Sequence, residues 1–443
     1  MTSQAGNTIK KEISYMKLTE IKIHERLARR QTAVAVIGVG YVGLPVALTF
    51  SHHFNVIGYD IDESRIKKLC NIYCRHGESL RFDASENALD DASFYIVTVP
   101  TPVDDAKKPD LSPVIHAIET IARHLKPGDF VVFESSVYPG CTDNLCIPML
   151  ERLSGLTNGK DFKTGYSPER INPADRLHTF ANTPKLVSAN DASALVEIAK
   201  VYQTVIDAEI HCASSIIVAE TAKMMENAQR NVNIALMNEL SKLCKGLGID
   251  MGEVVNAASS KWNFMPFRPG LVGGHCIPVD PHYLIDCGNN MGIDMPVLKS
   301  CCEANDDMAR YVVDSLLDIV RESGKDLGSV RALLMGFTYK ANIDDTRNTM
   351  SAPIYRLLTE ASVKVDVTDS HADAGKVLRD YGIGLTGIHG SASYDIIIVA
   401  VAHAEYAMLD EKYFRSIAKS DALLADLTWM YKDKIHNLAY WSL

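Results

Sequence analysis

The sequence predicts an α/β protein in which two parallel-sheet domains flank a central helical domain built around one long helix. Three observations carry this prediction. Apolar runs alternate with amphipathic segments in the first part of the chain, a helical pattern without proline runs from Ser214 to Leu247, and apolar runs return from Val330. Alternating strands and helices are typical of parallel sheets covered on both faces. A helix of this length is typical of a connection between domains or subunits.

The first α/β part follows a polar appended segment, residues 1–32, in which we expect a helix from Ser14 to Arg29. Each predicted strand is a short apolar run, as buried parallel strands are. The strands are predicted at Ala33–Ile37, Asn55–Asp60, Phe94–Val99 and Phe130–Phe133. The helices are predicted at Tyr41–Ser51, Glu63–Cys74, Leu111–Leu125 and Asp143–Leu153.

The central part is predicted to be helical, and the last part to return to α/β. Helices are predicted at Ser214–Leu247, at Met251–Ser259 and from Pro296 past Arg321. Between them, Lys261–Pro281 is rich in Gly, Pro and aromatic residues, and long ordered loops of this kind are usually functional. The last part is predicted to hold strands Val330–Gly336, Val363–Val367, Tyr394–Ala400 and Ala422–Asp426 and helix Ser351–Glu360. The predicted segments are therefore 1–32, 33–213, 214–322 and 323–443.

The charge balance limits the classes of partner. The 443 residues include 45 basic and 55 acidic side chains, a net charge of −10 with His neutral. This excess argues against nucleic acid as a partner, because phosphate binding needs basic surface. No run approaches the roughly 18 apolar residues of a membrane span, and the polar N-terminus lacks the apolar core of a signal peptide. We therefore expect no membrane partner and a cytoplasmic location.

The ten cysteines are scattered and include no Cys-x-x-Cys pair. This spacing argues against a structural zinc site, and we expect no metal. Reduced thiols are the simplest interpretation, and all but Cys276 are expected to be small buried side chains.

A glycine-rich turn follows the first strand and opens a helix. Gly38, Gly40 and Gly43 match the G-x-G-x-x-G pattern of dinucleotide sites. There, the first glycine allows the tight turn, the second lets a pyrophosphate approach the backbone, and the third permits close helix–strand packing. Asp60 ends the second strand, 17 residues after Gly43, where a carboxylate binds the ribose and repels a 2′-phosphate. The sequence thus predicts a Rossmann-like domain that binds NAD rather than NADP.

Two other predicted strands end in loop motifs, Pro100-Thr101-Pro102 and Glu134-Ser135-Ser136-Val137-Tyr138-Pro139-Gly140. Ligands of open α/β sheets bind at the carboxyl ends of strands, so both loops are candidate binding loops. Ordinary loop chemistry explains either one equally well when it is taken alone.

Gly273-Gly274-His275-Cys276 lies just before a predicted helix start. A thiolate at a helix N-terminus is stabilised by the helix dipole, and Asp280 lies four residues further on. A nucleophilic thiol and a carboxylate base form a plausible catalytic pair. The alternative is a buried cysteine on a tight turn.

The long helix places Glu220, Lys223 and Asn227 on one face. In isolation, this pattern is also that of a solvated stripe of charged residues. Glu169 in Ser167-Pro168-Glu169-Arg170 supplies a further carboxylate, and Lys340 and Arg347 place cations after the first strand of the last domain. Such cations can hold a diphosphate.

Together these motifs resemble the UDP-glucose/GDP-mannose dehydrogenase family over nearly the whole chain from residue 33. The finer likeness, carried by Ser167–Pro173 and Lys261–Gly270, is to UDP-N-acetylhexosamine 6-dehydrogenases of bacterial surface polysaccharide synthesis, such as that of O-antigen and capsule. Two positions differ from the family pattern. Pro173 stands where the UDP-glucose branch has a second glutamate, and Ser136 stands where the family has a threonine.

The resemblance implies two Rossmann-like parallel-sheet domains joined by a central helical domain, and a four-electron oxidation of a sugar C6 alcohol with two NAD. Asp280, through a water, and Lys223 are candidates for the base of the first oxidation. Cys276 attacks the aldehyde, and Lys223 and Asn227 stabilise the oxyanion. Glu169 is the implied base for hydrolysis of the thioester. Ser136 completes the implied catalytic set.

The resemblance also implies which residues bind the two ligands. The implied cofactor residues are Gly38, Gly40, Tyr41, Val42, Gly43, Asp60, Arg65, Pro100, Thr101, Ser136 and Arg347. The implied substrate residues are Glu169, Arg170, Lys223, Asn227, Arg268, Gly273 and Lys340. Lys340 would pair with the UDP diphosphate, and Arg268, from the same subunit or its partner, with the sugar hydroxyls.

Other functions remain open at this point. UDP-N-acetylglucosamine and UDP-N-acetylgalactosamine fit equally well, and UDP-N-acetylmannosamine or UDP-glucose is an alternative substrate. A two-electron NAD dehydrogenase would not need Cys276, and an NAD-responsive binding protein would need neither Cys276 nor Lys223. The length of the 214–247 helix predicts a homodimer or a higher even oligomer.

Overall fold

The computed structural model describes residues 22–73, 79–104, 106–170, 177–388 and 393–443. The chain divides into two compact units, Met1–Met225 and Glu226–Leu443. The division falls within the long helix. The predicted segment boundaries at residues 32, 213 and 322 stay predictions.

Unit 1 is an α/β unit with eight strands in one sheet, in the order β3-β2-β1-β4-β5-β6-β7-β8. Its strands are β1 Ala33–Ile37, β2 Asn55–Tyr59, β3 Leu80–Asp83, β4 Ala92–Val97, β5 Phe130–Phe133, β6 Lys163–Tyr166, β7 Lys185–Ala189 and β8 Ile210–Cys212. Its helices are α1 Ile23–Ala28, α2 Gly43–Ser51, α3 Glu63–Tyr73, α4 Ser112–His124, α5 Ile147–Ser154 and α6 Ala192–Val205. The strands pair in parallel except for β6 and β7, which are antiparallel.

Both faces of the first sheet are covered. In β1, Ala35 and Ile37 join one apolar cluster, with residues of α4 and α5. Val34 and Val36 join the other cluster, with residues of α2 and α6. Because alternate residues of a strand point to opposite faces, this division requires helices on both sides. Full burial of one such side chain contributes about 1.5–3 kcal/mol.

Strand β1 pairs with β2 on one side and with β4 on the other. The direction of the strand order therefore reverses between β1 and β4. Ligands of doubly wound sheets bind at this switch point.

Unit 2 begins within α7 Ile216–Leu247 and contains a helical part followed by a second sheet. Its other helices are α8 Met251–Ser259, α9 Asp280–Asn290, α10 Pro296–Asp306, α11 Met308–Glu322, α12 Ser351–Glu360, α13 Ala374–Tyr381 and α14 Glu411–Ile417. Its strands are β9 Arg331–Met335, β10 Lys364–Thr368, β11 Tyr394–Val399, β12 Ala418–Asp426 and β13 Ala439–Ser442. They form an all-parallel sheet in the order β10-β9-β11-β12-β13, with an apolar cluster on each face.

The fold class is confirmed, with differences in detail. No element was predicted at β3, β6, β7, β8, β13, α6, α13 or α14. Most of these strands are short or carry Lys, Gly and Ser, and α13 and α14 are short helices. The segment predicted as one helix at Asp143–Leu153 is a π turn, Thr142–Cys146, followed by α5. The helix predicted at Ser14–Arg29 is described only from residue 22, where α1 spans Ile23–Ala28.

The cysteine prediction is partly wrong. Cys141, Cys146, Cys244 and Cys302 are buried, whereas Cys70, Cys287 and Cys301 are half-buried and Cys212 is exposed. Cys212 ends the short edge strand β8, which leaves its side chain uncovered. Cys74 lies outside the described residues. Among the described helices, none is long and apolar enough to cross a membrane.

Candidate active site

The glycine turn after β1 is shaped by close packing. Gly38 has φ +90°, which favours glycine, and its carbonyl oxygen accepts from the hydroxyl of Thr98 at 2.9 Å. A Cβ on Gly43 would lie 2.1 Å from that carbonyl oxygen and 2.4 Å from Thr98 Oγ1. A Cβ on Gly40 would meet only Arg65, at 3.9 Å. Gly40 thus leaves its backbone open to a ligand, as a pyrophosphate site requires.

Asp60 follows β2 and is buried. Its Oδ2 accepts from Arg65 Nη1 at 2.8 Å, and its Oδ1 accepts from the backbone N–H of Asp62 at 3.0 Å. The predicted cofactor residues Asp60 and Arg65 therefore form an ion pair. A carboxylate at this position can bind a ribose, and here it also pairs with the guanidinium of Arg65.

The loops after β4 and β5 are joined to each other. The hydroxyl of Ser135 donates to the carbonyl of Val99 at 2.7 Å. Glu220 of α7 accepts from the backbone N–H groups of Gly140 at 2.6 Å and Thr142 at 2.9 Å. Burial raises the pKa of Glu220 to about 7. Glu220 is thus a buried group that fixes a loop, and the alternative of a solvated stripe is wrong for this residue.

Glu169 lies after β6 in a buried ion cluster that sequence reasoning missed. Lys185 Nζ is 3.0 Å from Glu169 Oε2 and 2.8 Å from Glu134 Oε2. The hydroxyl of Tyr202 donates to Glu134 Oε1. We call these four residues the Lys185 cluster. Little in the sequence indicated that Lys185 is buried, because a lysine at the start of a short strand is usually solvated.

Cys276 is half-buried at the amino end of α9. Its carbonyl oxygen accepts from the backbone N–H of Asp280 at 2.8 Å, so the backbone of Cys276 leads directly into the first turn of the helix. His275 Nδ1 lies 2.9 Å from Cys276 Sγ, a polar contact that sequence reasoning did not predict. A helix N-terminus and a nearby imidazole both favour a thiolate.

The loop before α9 is held by asparagines of α7. The amide of Asn227 donates to Asp280 Oδ2 at 2.6 Å, and that of Asn231 donates to the carbonyl of Ile277 at 3.1 Å. Asn238 both accepts from the N–H of Gly270 and donates to its carbonyl, at 2.8 and 3.1 Å. The missed signal was the spacing, since Asn231 and Asn238 lie four and eleven residues after Asn227. Asparagines are unfavourable in helix interiors unless they bond elsewhere.

The loop also packs against the segment after β9. A Cβ on Gly274 would lie 2.6 Å from the ring of Tyr339, and one on Gly273 would lie 2.8 Å from the carbonyl oxygen of Asn348. Arg347 Nε binds both carboxylate oxygens of Asp345 at 3.0 Å. Burial disfavours the charge of Arg347, but the hydrogen bonds and charge of Asp345 outweigh it and raise the pKa of Arg347, with smaller contributions from Tyr339 and Cys276. The cation predicted to bind cofactor thus lies near the thiol within unit 2.

The remaining predicted residues occupy loops and helix starts. Lys223 is buried within α7, and Lys340 is half-buried after β9. Arg268 is exposed, with its guanidinium 5.4 Å from the ring centre of Trp429. Tyr41, Val42, Thr101, Ser136 and Arg170 are half-buried, and Pro100 is exposed. Pro173 lies outside the described residues.

The comparisons with known proteins agree with this layout. Family models match in chain order, the NAD binding domain over residues 32–206, the central domain over 217–307 and the UDP binding domain over 333–433. UDP-N-acetyl-D-glucosamine 6-dehydrogenase of Salmonella typhi is 42% identical over 410 residues, which cover 90% of this chain and 96% of the relative. The chain belongs to the UDP-glucose/GDP-mannose dehydrogenase family. It is an NAD-dependent nucleotide-sugar dehydrogenase.

Other relatives give the same result. UDP-N-acetyl-D-glucosamine 6-dehydrogenase of Pseudomonas aeruginosa is 42% identical over 420 residues, 91% of this chain and 98% of the relative. Among solved structures, a UDP-D-ManNAc dehydrogenase of Pyrococcus horikoshii is similar with a TM-score of 0.81 at 26% identity, over 93% of this chain and 98% of that one. The predicted family, fold class and cofactor are thereby confirmed, and the individual site residues stay predictions.

The glycine turn yields a paired test. In Gly43→Ala the new Cβ meets backbone that cannot yield, so we expect unit 1 to lose about 1–3 kcal/mol of stability together with its NAD affinity. In Gly40→Ala the Cβ enters open space, so the melting temperature should stay near that of the parent while NAD binding weakens. Thermal melts and NAD titrations measure both quantities. Equal loss of stability in the two variants would contradict this account.

The Asp60–Arg65 pair predicts cofactor choice. Asp60→Ser removes the carboxylate and releases Arg65, so the ratio of NADP to NAD efficiency should rise roughly tenfold or more. Steady-state kinetics with both cofactors measure this ratio. Asp62→Ser is the matched control, because Asp62 is an exposed partner of Arg65 at 3.9 Å. An unchanged ratio in Asp60→Ser, or an equal rise in Asp62→Ser, would show that Asp60 does not select the cofactor.

Proposed function

We propose that this dehydrogenase oxidises the C6 alcohol of a UDP-N-acetylhexosamine, UDP-N-acetylglucosamine or UDP-N-acetylgalactosamine, to the carboxylate for surface polysaccharide synthesis. The carrying observation is Cys276 at the amino end of α9, beside the Asn227–Asp280 pair, in a chain with an NAD binding domain. A two-electron alcohol oxidation needs no thiol, whereas oxidation to the acid proceeds readily through a thioester. Two relatives named as UDP-N-acetylglucosamine 6-dehydrogenases support this substrate class.

The first oxidation needs a base for the alcohol proton. Bound NAD supplies the hydride acceptor for each of the two oxidations. Asp280, through a water, and Lys223 are the candidate bases. The hydrogen bond from Asn227 fixes the Asp280 carboxylate, and Lys223 lies one helical turn before Asn227 on α7.

Cys276 then acts as nucleophile. Its thiolate adds to the C6 aldehyde and forms a thiohemiacetal, so the aldehyde stays bound between the two oxidations. The ammonium of Lys223 and the amide of Asn227 stabilise the negative charge on the oxygen. Loss of the second hydride leaves a thioester on Cys276. Water cleaves that thioester, with Glu169 as the base that takes the proton of the water.

Cations and loop backbone bind the rest of the substrate in this proposal. Lys340, after β9 in the UDP binding domain, pairs with the diphosphate. Arg268 binds sugar hydroxyls, and Gly273 and Arg170 line the sugar site. Ser136 supplies a hydroxyl to the cofactor side. We place the enzyme in the cytoplasm, where a catalytic thiol stays reduced.

The covalent mechanism predicts two NADH per sugar. Cys276→Ser should bind both ligands, yet steady-state turnover should fall by roughly a thousandfold, equivalent to about 4 kcal/mol, because serine is a weak nucleophile at neutral pH. NADH release over a panel of UDP-sugars, with product identified by mass, measures stoichiometry and epimer preference. Cys287→Ser, on α9, is the matched control and should keep turnover. One NADH per sugar with an aldehyde product, or a Cys276→Ser variant within tenfold of the parent, would contradict the mechanism.

We further propose that the enzyme is a homodimer or a higher even oligomer joined through α7. Leu236, Leu243 and Leu247 are 48%, 56% and 62% exposed along one stripe of this helix. Three exposed leucines at spacings of seven and four lie on one face, and apolar stripes of this kind are normally covered. A two-fold pairing of identical stripes covers them.

The stripe predicts the effect of charge on assembly. Leu236→Glu combined with Leu243→Glu should dissociate the oligomer to the monomer mass of 48.8 kDa, as measured by light scattering at micromolar concentration. Arg230→Glu changes an exposed residue of the same helix off this stripe and should leave the mass unchanged. A parent protein that is already monomeric would refute the proposal.

A further inference from the structure

The Lys185 cluster depends on the antiparallel pairing of β6 with β7. Residue Tyr166 of β6 lies opposite Ser188 of β7. Because β7 runs backwards, its first residue, Lys185, lies at the edge where β6 ends. Continuing this register past Tyr166 brings Glu169 opposite Lys185, and the ion pair at 3.0 Å agrees with that placement. A parallel β7 would put Lys185 at the other edge of the sheet.

The cluster holds more negative than positive charge. The side chains of Lys185 and Glu134 are 3% and 0% exposed, and that of Glu169 is 8% exposed. Burying charges is costly unless they are paired, and here two carboxylates share one ammonium. Burial raises the pKa of Glu134, against the opposing effect of Lys185. Burial disfavours the charge of Lys185, yet the two glutamates outweigh this and raise its pKa.

Two aromatic rings lie beside the ammonium of Lys185. The Phe180 and Tyr202 ring centres lie 4.9 and 5.6 Å from the ammonium, where ring faces favour a cation. Arg170, the charged neighbour of Glu169 along the chain, donates to the carbonyl of Pro184 at 3.4 Å. The hydroxyl of Tyr202 donates a hydrogen bond to Glu134. Lys185 is thus bonded to both carboxylates.

We propose that Lys185 is a positioning residue that keeps Glu169 ionised and oriented to accept the proton of the water that hydrolyses the thioester. This inference rests on the proposed function and adds a residue that acts through Glu169. In the step, the oxygen of water bonds to the C6 acyl carbon, the bond from that carbon to Cys276 Sγ breaks, and the thiolate leaves. One proton of the water moves to Glu169, the other stays on the carboxyl group of the product, and no electron is transferred.

The net negative charge of the Lys185 cluster favours uptake of a proton from water. With Glu134, Glu169 and Lys185 all ionised, the cluster carries one net negative charge, and the transferred proton brings it to zero. Without Lys185, two adjacent carboxylates remain in a buried place, and like charges of this kind retain a proton. A proton held between the two carboxylates would oppose the transfer from water until the pH is raised.

The experiment follows turnover from pH 6 to 9.5 and, at each pH, the fraction of enzyme that carries the acyl adduct, by quenched intact-mass spectrometry. In Lys185→Met we expect the acidic limb of the pH profile to move up by at least one unit and the thioester to accumulate at pH 7. Lys185→Arg should restore the limb and clear the adduct. Lys163→Met is the matched control, because Lys163 begins β6 and pairs with Asp191 at 2.7 Å, outside the cluster.

The results for these variants distinguish a positioning role of Lys185 from a purely structural one. If Lys185→Met folds but keeps the limb of the parent without adduct, or behaves like Lys163→Met, Lys185 is only structural. If Lys185→Met fails to fold, Glu134→Gln decides, since removal of the neighbouring carboxylate should move the limb to lower pH, and an unchanged limb would overturn the inference. The number of NADH that the parent protein forms per sugar distinguishes failure of the proposed function from failure of this inference. One NADH per sugar from the parent refutes the proposed function, whereas two NADH with unaffected Lys185 variants refutes this inference alone.

Discussion

The loop that carries Cys276 depends on amide hydrogen bonds from one face of α7. A loop of this length has backbone groups that no strand or helix satisfies, and each one left buried without a partner costs about 1–3 kcal/mol. Asn231 binds the carbonyl of Ile277, and Asn238 binds both backbone groups of Gly270. Asn227 holds the side chain of Asp280, the first residue of α9. The helix thereby fixes the loop that carries the thiol, and Asn231 and Asn238 do so without a part in the proposed chemistry.

In unit 1, the direction of the strands determines where the loops of the candidate site lie. The parallel strands β1, β4, β5 and β6 place their following loops at one edge, so the glycine turn, Ser135 and Glu169 converge there without help from sequence proximity. Close packing then restricts the backbone conformation of the glycine turn. Gly43 has no room for a Cβ beside the carbonyl of Gly38, and Thr98 ties that carbonyl to β4. The cofactor turn is rigid where it contacts protein and open at Gly40.

Sequence patterns predicted what depends on local spacing. The fingerprint at Gly38, the acidic residue at Asp60 and the apolar strands are local signals, and the fold class, family and cofactor followed from them. Lys185 was missed because its partners lie 51 and 16 residues away and its role depends on the reversal of β7. A solvated stripe stayed open as an alternative for Glu220, since helical periodicity cannot tell solvent from a neighbouring loop. Cys212 was expected to be buried, but the edge position of β8 depends on sheet order, which periodicity does not encode.

Several buried charges of unit 1, namely Asp60, Glu220 and the ions of the Lys185 cluster, fix loops at the carboxyl edge of the sheet. Asp60 binds a backbone N–H of the turn after β2, Glu220 binds two after β5, and the Lys185 cluster joins the loops after β5 and β6. Such placement costs stability. Burial raises the pKa of Glu220 from 4.5 to about 7, so the fold binds this proton more tightly than the unfolded chain does. As the pH rises through that interval, ionising Glu220 reduces the stability of the folded state relative to the unfolded chain. A sheet that only had to fold would fill these positions with apolar residues, and their charge is therefore best explained by the loops that they hold in place for ligands.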